Sequence, residues 1–369
     1  VYEMKFSASR DTILKPLQSI IGVVERRQTM PILSNILLVA NDNKLSVTAT
    51  DLEVELVAET SVTVETPGKT TIPGRKLHDI FRALPEGKDV EISVNADRVT
   101  VKSGRSRFTL SSLPAADFPT VDEISAQQVL KLDRQEFRNL LDKTHFSMAQ
   151  QDVRYYLNGL LFETEGDTLR VVATDGHRLA MAEMELSDSV EGKAQVILPR
   201  KGVLELQRLL GDDGQIELAL GSNHIRVQLQ GIRFTSKLID GRFPEYSKVV
   251  PSNVTNIAIA DRALLRQALQ RAAILSNEKY RGVRLDLEEN GLRIQANNPD
   301  QEEAEEVLEV EYGGSRMEIG FNVNYLLEAL GAVSEEQVQL GLGEDSNTSC
   351  LIKGPTTENS KFVVMPMRL

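Results

Sequence analysis

Four histidines, one cysteine and a dense acidic run are the side chains of this 369-residue chain best suited to chemistry. His78, His145, His177 and His224 lie far apart, without the HxxxH or HExxH spacing that sets two imidazoles on one helical face around zinc. Cys350 stands alone, so neither an internal disulfide nor a cysteine-rich zinc site is expected, and the compartment should be reducing and cytoplasmic. No GxxxxGK[ST] loop is present to cradle a nucleotide phosphate. Gly341-Leu342-Gly343 lacks the third glycine and the strand-to-helix setting of a dinucleotide loop. Asp175-Gly176-His177 has the makings of half a nucleophilic relay, but Ser147 and Ser222 sit in no nucleophile elbow. The carboxylates of Asp300, Glu302, Glu303, Glu305, Glu306, Glu309 and Glu311 could clamp two metal ions for phosphodiester cleavage. Without a histidine, and at that density, they read better as a solvated face or turn. The chain is expected to have no catalytic residue, no metal and no cofactor.

The Asp175 turn closes a stretch that the chain states three times. QDVRYYLNG (151–159) leads through two alternating apolar segments to VVATDGHRLA (171–180). QTMPILSNILLVANDNKLSVTATDLEVEL (28–56) has the same rhythm, with a turn at Asn41-Asp42-Asn43 and Ala49-Thr50-Asp51 at its close. EKYRGVRLDLEENGLRIQANNPDQEEAE (278–305) repeats it, turning at Glu289-Asn290-Gly291 and closing on Ala296-Asn297-Asn298. Asp51, Asp175 and Asn298 are 124 and 123 residues apart, a third of the 369-residue chain. Arg107-Phe108, Arg233-Phe234 and Lys361-Phe362 recur late in each third, at steps of 126 and 128. Asp51-Leu52-Glu53 fills the place of Asp175-Gly176-His177 without a histidine, which favours a turn over a catalytic site. Three domains are expected, at 1–125, 126–250 and 251–369, each large enough for its own core.

Each third opens on a helical pattern. Ile13, Leu14, Leu17, Ile20, Ile21 and Val24 follow Ser9, with Pro16 removing one hydrogen bond inside the run. Phe137, Leu140 and Leu141 follow Asp133, with Glu136 completing a capping box. Leu264, Leu265, Ala268, Leu269 and Ala272 follow Asp261. Second helices are predicted over 75–84, 200–210 and 324–330, and short alternating strands fill the rest, with turns at Asn95-Ala96-Asp97 and Ser103-Gly104. The fold class is therefore α+β: two helices per repeat, packed on one face of antiparallel sheet. Linkers are expected at 121–129 and 251–256.

With 41% hydrophobic and 26% charged residues the composition is that of a soluble globular protein, and no apolar run reaches the roughly 20 residues that span a bilayer. Nothing resembles a basic-then-apolar secretory leader. The net charge of −12 divides into −2, −2 and −8 over the three thirds, so the acidity belongs mostly to the last. Arg26-Arg27, Arg75-Lys76, Arg134, Arg138, Arg200-Lys201, Arg262, Arg266 and Arg271 fall on or beside predicted helices at recurring places. Each alone reads as a solvated helix face; together they suggest a weakly positive lining on an otherwise acidic body. Gln151, Tyr155 and Tyr156 add polar and aromatic reach beside it.

QDVRYYLNG, ATDGHRLA, PRKGVLEL (199–206), FTSKLIDGRFPEY (234–246), RAAILSNEKYRGVRL (271–285), NNPDQEEAEE (297–306), EIGFNVNYLL (318–327) and VVMPMRL (363–369) together resemble the bacterial DNA polymerase III beta subunit family, the sliding clamps. The resemblance spans the whole chain. It implies a non-catalytic processivity factor for DNA replication, a head-to-tail homodimeric ring around double-stranded DNA, held without regard to base sequence. It also implies loading by a clamp loader. Replicative and translesion polymerases, mismatch-repair proteins and ligase-type proteins would dock on it through a short peptide motif. The residues that would face DNA are Arg27, Arg75, Gln151, Tyr155, Tyr156, Arg200, Lys201 and Arg242. The peptide pocket would use Arg154, Leu157, Thr174, Gly176, His177, Arg178, Leu179, Pro244, Val249, Asn322, Tyr325, Ser349, Val363, Val364, Met365, Pro366, Met367, Arg368 and Leu369. Met365 and Met367 suit a surface that accepts varied peptides, because thioethers repack easily. The seam between subunits would join Lys76, Arg98, Arg105, Arg107, Phe108 and Leu110 of one copy to Ile274, Leu275, Glu302, Glu303, Glu305 and Glu306 of another.

Size arithmetic favours a closed pair over a single chain. A domain of this length is roughly 32–35 Å wide; three in a closed triangle leave a hole of about 5 Å and six in a hexagon about 32 Å. Duplex DNA, roughly 20 Å across, fits only the second. A ring that must slide holds DNA by topology, so few tight phosphate contacts and an acidic exterior are what it needs. Two other readings stay open from the residues themselves: a metal-dependent nuclease built on the acidic run, and a linear peptide-binding scaffold that never closes.

Overall fold

The three copies of the pattern fold alike, down to single hydrogen bonds. The computed structural model describes every residue except Arg27, Gln28 and Asp122, so Arg27, expected to face DNA, lies outside the described residues. The described residues form six α-helices, α1 (Arg10–Ile20), α2 (Gly74–Ala83), α3 (Arg134–Asp142), α4 (Arg200–Leu209), α5 (Arg262–Ala273) and α6 (Val323–Ala332), with four antiparallel sheets. No helix among them is long and apolar enough to cross a membrane.

The helix starts follow from their caps. Ser9 Oγ accepts from the Thr12 amide at 3.2 Å, and Asp261 Oδ1 from the Leu264 amide at 2.9 Å, satisfying donors the first turn leaves free. Ile13, Leu14, Leu17 and Ile20 are buried, as their spacing predicts, and α1 runs through Pro16 before tightening into a 3₁₀ turn at Ile21–Val23. Leu264 corrects the pattern read on α5: it is 55% exposed, while Leu265, Ala268, Leu269 and Ala272 are buried.

Two of the arginines assigned to a basic lining do something else. In each repeat the first residue of the opening helix sends its guanidinium to carbonyls at or just beyond the end of the second helix. Arg10 Nε donates to Phe81 O at 2.7 Å, Arg134 Nη2 to Leu209 O at 2.6 Å, and Arg262 Nε and Nη1 to Glu335 O and Leu330 O at 3.0 and 3.3 Å. Orphan carbonyls at a helix end carry partial negative charge, so a cation there is doubly favoured. Arg134 and Arg262 are helix caps. Because hydrogen bonds to charged groups contribute roughly 1.5–3 kcal/mol each, Arg134→Ala is expected to destabilise by about 2 kcal/mol. A lowered urea midpoint checks this; an unchanged one would show the cap to be idle.

Contacts divide the chain into two units, 1–135 with 201–238 and 136–200 with 239–369. The first unit holds a five-stranded sheet in the order Thr63–Thr66, Met4–Ser9, Asp89–Asn95, Arg98–Ser103, Ser106–Ser111. It also holds an eight-stranded sheet, Ala126–Asp133, Gln215–Gly221, His224–Leu229, Ile232–Lys237, Val54–Ser61, Lys44–Thr50, Asn35–Asn41, Gly68–Pro73. In the second unit a nine-stranded sheet runs Lys193–Pro199, Gly159–Glu165, Thr168–Thr174, Arg178–Glu185, Ser360–Val364, Cys350–Lys353, Gln337–Leu342, Asn256–Asp261, Glu311–Tyr312. Beside it lies a four-stranded sheet, Glu303–Glu309, Gly291–Asn297, Gly282–Glu288, Met317–Asn322. The predicted linkers are shorter than read, since strands already begin at Ala126 and Asn256.

The two large sheets are joints between repeats. In one, Phe234 stands opposite Leu56; in the other, Phe362 stands opposite Ala180, and all four are buried. The recurring Arg/Lys-Phe pair thus marks the strand by which one repeat adds to the sheet of its neighbour. Hairpin turns fall where the sequence puts them: Asp42, Asn43, Ala96 and Asn290 take φ of 51°, 58°, 55° and 55°.

Candidate functional site

The Asp-Gly-His stretch is a turn, and the repeat explains it. Asp51 Oδ1 accepts from the amides of Glu53 and Val54 at 2.9 and 2.8 Å; Asp175 Oδ1 accepts from those of His177 and Arg178 at 2.9 and 3.1 Å. Asn298 Oδ1 accepts from Asp300 and, in a loop one residue longer, from Glu302, both at 3.1 Å. Three side chains of one shape hold three equivalent loops, a role that needs no reactivity. Burial lowers the affinity of the His78 and His224 rings for a proton. The thiol of buried Cys350 is pushed up to about 12 by desolvation, which leaves it inert at neutral pH.

Around the Asp175 turn the second unit assembles most of the residues expected in the peptide pocket. Gly176 takes φ of +89° against the Arg154 guanidinium, where an added Cβ would meet nitrogens at 3.1 and 3.2 Å. Arg154 is held by Asp152, Nη2 to Oδ2 at 3.0 Å, which also holds that carboxyl below its usual range. Arg178 pairs with Asp175 at 3.2 Å and with Glu328 at 2.7 Å, and lies 4.3 Å above the Tyr325 ring. Thr174 Oγ1 donates to Arg178 O at 2.6 Å. Asn322 caps α6, accepting from the amides of Asn324 and Tyr325.

The floor is apolar. Leu179 and Val363, opposite each other on paired strands, join Leu161, Val172, Ile197, Leu351, Phe243 and Tyr246 in one buried cluster, with Val249 and Tyr156 packed on its margin. Leu157 and Val364 are buried nearby, Ser349 half-buried, and His177 and Pro244 exposed. After Val364 the chain becomes a strap. Met365 N donates to His177 O at 3.0 Å and Met367 N to Gly320 O at 2.8 Å, leaving Met365, Pro366 and Met367 half-buried. Arg368 and Leu369 are exposed, yet the Leu369 side chain rests in a notch between Gly282 and Gly320, where added Cβ atoms would meet it at 2.5 and 2.7 Å. An open cavity of about 830 Å³ beside the strap is lined by Tyr280, Gln295, Asn297 and Leu369 among others. Phe243 and Tyr246 are absent from the expected pocket residues; their signal is an aromatic pair within the otherwise polar run Asp240–Lys248.

The first joint shows why it does not offer the same floor. Glu55 stands opposite Thr235 as Leu179 stands opposite Val363, so a carboxylate replaces the apolar residue. Glu55 is 3% exposed and accepts from the Val121 amide at 3.0 Å, tying the linker down.

Of the residues expected to face DNA, Arg75 and Lys201 lie in the first unit, and Gln151, Tyr155, Tyr156, Arg200 and Arg242 in the second. Gln151, Tyr155 and Arg242 are exposed, and the two tyrosine rings meet edge-on at 5.8 Å. Lys201 is not a free charge. Burial works against its ammonium, but hydrogen bonds to Asp51 and Glu25, the latter at 2.7 Å, hold it above its ordinary range. Arg75 donates to Val24 O.

Two groups of the expected seam residues sit on unpaired sheet edges, and the others lie near them in sequence or on or just after helices. Arg107, Phe108 and Leu110 belong to Ser106–Ser111, the last strand of the five-stranded sheet; Phe108 and Leu110 are half-buried and Arg107 exposed. Arg98, Arg105 and Lys76 are exposed as well, and among the described residues no ion pair within the chain engages Arg98, Arg105 or Arg107. Glu303, Glu305 and Glu306 belong to Glu303–Glu309, the first strand of the four-stranded sheet, with exposed Glu302 just before it. Glu305 pairs with Arg293 at 2.9 Å and Glu306 with Arg271 at 2.6 Å. Ile274 is 76% exposed and Leu275 half-buried after α5; Val307, outside the expected seam residues, is 66% exposed on the Glu303–Glu309 edge.

Comparison with known proteins follows the same threefold division. Models of the N-terminal, central and C-terminal domains of the DNA polymerase III beta subunit match residues 4–122, 131–245 and 247–368. Beta sliding clamps of Pseudomonas putida and Escherichia coli K12 are 53% and 52% identical over 368 residues, covering 99% of this chain and 100% of theirs. The crystal structure of a DnaN sliding clamp from Pseudomonas aeruginosa bound to griselimycin superposes with a TM-score of 0.97 at 53% identity, over 100% of both chains. A Caulobacter crescentus beta sliding clamp superposes with a TM-score of 0.96 at 39% identity, over 99% of each.

Proposed function

Since the chain belongs to the DNA polymerase III beta subunit family, matched by three domain models and by full-length relatives, we infer how its own residues do the work of a clamp. It is a sliding clamp, a non-catalytic subunit that gives a DNA polymerase its processivity. We propose three domains at 1–125, 126–250 and 251–369, and two copies joined head to tail into a ring around duplex DNA in the cytoplasm.

The observation that carries the ring is the pair of unpaired edges. Inside the chain, the strand bearing Phe234 adds to the sheet edge bearing Leu56, and the strand bearing Phe362 to the edge bearing Ala180. Leu56, Ala180 and Ala304 are equivalent, each lying opposite the alanine of its repeat motif: Ala49, Ala173 and Ala296. The third joint has no partner within one chain, so it is made by a second copy, with Phe108 opposite Ala304. That register sets Arg107 against Glu305 and Thr109 against Glu303. It buries Phe108 as its equivalents are buried and pairs basic with acidic side chains, a heterologous contact that closes after two copies. Exposed pairs contribute little singly, so the charges set orientation and the apolar residues, with Ile274, Leu275 and Val307, supply most of the stability.

DNA passes through without being gripped. Of the residues proposed to meet it, Arg27, Arg75, Gln151, Tyr155, Tyr156, Arg200, Lys201 and Arg242, Lys201 is already partnered by carboxylates, which suits a surface that must let phosphates move on. Polymerases, repair proteins and the clamp loader would dock in the socket around Leu179, Val249, Val363 and the Met365–Leu369 strap, and griselimycin would occupy the same place. The test of the ring is retention on DNA: protein loaded on a nicked circle stays, and protein loaded on a linear molecule slides off.

A further inference from the structure

One wall of the partner socket is the segment from Ile239 to Val250, whose Ile239, Phe243, Tyr246, Val249 and Val250 pack on the sheet face bearing Leu161, Val172, Met181 and Ile197. On neighbouring strands of that sheet, Gln195, Glu163, Arg170 and Glu183 stand directly opposite one another in a polar row. Glu163 is 2% exposed. The Tyr246 hydroxyl donates to Glu163 Oε1 at 2.6 Å and accepts from Arg170 Nη1 at 2.9 Å. Arg170 also reaches Glu163 at 3.3 Å and Glu183 at 2.6 Å, and Gln195 donates to the second Glu163 oxygen.

We propose that this Tyr246–Glu163–Arg170 anchor is the positioning device of the partner socket, holding Pro244 and Val249 over an apolar floor. The inference rests on the reading of that socket as the partner site. A buried carboxylate must have its lone pairs filled, and Tyr246 fills one from a segment otherwise held to the sheet by apolar contact and, at its start, by Ile239 N donating to Ile197 O at 2.9 Å. Burial alone would raise the Glu163 pKa; hydrogen bonds from Tyr246 and Gln195, with the charges of Lys193 and Arg170, hold it low, so Glu163 stays ionised at neutral pH.

The other repeats show what the anchor replaces. In the first joint the linker is fastened through the floor position itself, Glu55 accepting from the Val121 amide. In the second joint that position is Leu179, and the fastening has moved two rows along the sheet to Glu163, which frees the floor for an apolar ligand. In the third repeat Asp286 and Arg293 lie opposite each other as Glu163 and Arg170 do, but Asp286 Oδ1 is buried without a hydrogen-bond partner. The row is present there and the tyrosine is not. The anchor is therefore particular to the repeat that carries the socket.

The experiment measures griselimycin affinity and dissociation rate on the full chain, beside the thermal unfolding midpoint and dimer mass. Tyr246→Phe keeps the ring and removes only the hydroxyl; it is expected to weaken binding about tenfold, mostly through faster dissociation. Glu163→Gln should weaken it similarly, and the double variant should be no weaker than the weaker single. Affinity within twofold of the parent, with a lowered midpoint, would make the anchor a stability element only and overturn the proposal. Should Tyr246→Phe fail to fold, Glu163→Gln decides by the same comparison. If the parent does not bind griselimycin, or binds it equally after removal of Met365–Leu369, the socket reading itself fails and the anchor with it.

Discussion

A chain carrying Arg107→Cys and Glu305→Cys is expected to form a covalent dimer on oxidation, complete within the dimeric fraction and without higher multimers. Directly opposed residues on antiparallel strands have Cα atoms roughly 4.5–5.5 Å apart, within the span a disulfide bridges. The opposition comes from the chain's own two joints, where Phe234 meets Leu56 and Phe362 meets Ala180. The single native thiol, Cys350, is buried with its pKa pushed up to about 12, so it does not compete. Arg107→Cys with Ala304→Cys puts the two sulfurs on opposite sheet faces and should not crosslink, because side chains alternate along a strand. Crosslinking by that second pair and not the first would place the seam one residue out of register. Reversing Arg105 and Arg107 to glutamate should weaken the dimer, since like charges would then face Glu305 across the edge; an unchanged sedimentation profile would remove these arginines from the seam.

Removing Met365–Leu369 is expected to weaken polymerase binding by more than about 100-fold while leaving the dimer mass unchanged. The strap is fixed by two backbone bonds, Met365 N to His177 O and Met367 N to Gly320 O, and by Leu369 in its notch between two glycines. Without it, one side of the apolar floor around Leu179 and Val363 opens to water. The seam residues Phe108, Leu110, Ile274 and Leu275 are not among those that hold the strap, which is why assembly should survive. Undiminished binding by the shortened chain would move the partner site elsewhere.

What the sequence made legible was whatever repeats. Asp51, Asp175 and Asn298 announce three matching turns, and Phe234 and Phe362 announce the two strands that join repeats, with Phe108 at the same place in the first. Helical faces such as Ile13, Leu14, Leu17 and Ile20 were legible because burial follows period. Long-range polar partnerships were not. Arg134 and Arg262 look like surface cations until a helix end 75 or 68 residues away is folded beneath them. Lys201 looks free until Asp51 and Glu25 arrive from another repeat. The role of Tyr246 is hidden too, since nothing local shows that Glu163, 83 positions earlier, receives its hydroxyl. Leu264 failed for the opposite reason: it keeps the helical period of α5 but sits at the rim of the buried stripe.

Enclosure is the central claim, and retention on DNA measures it most directly. Protein loaded with its clamp loader and ATP on nicked circular DNA should persist through a high-salt wash, and should be lost at once when the circle is cut to a linear molecule. Oxidised Arg107→Cys/Glu305→Cys dimer, closed before loading, should fail to load at all. Equal retention on circular and linear DNA, or release from both by salt alone, would mean that the protein holds DNA by contact and not by surrounding it.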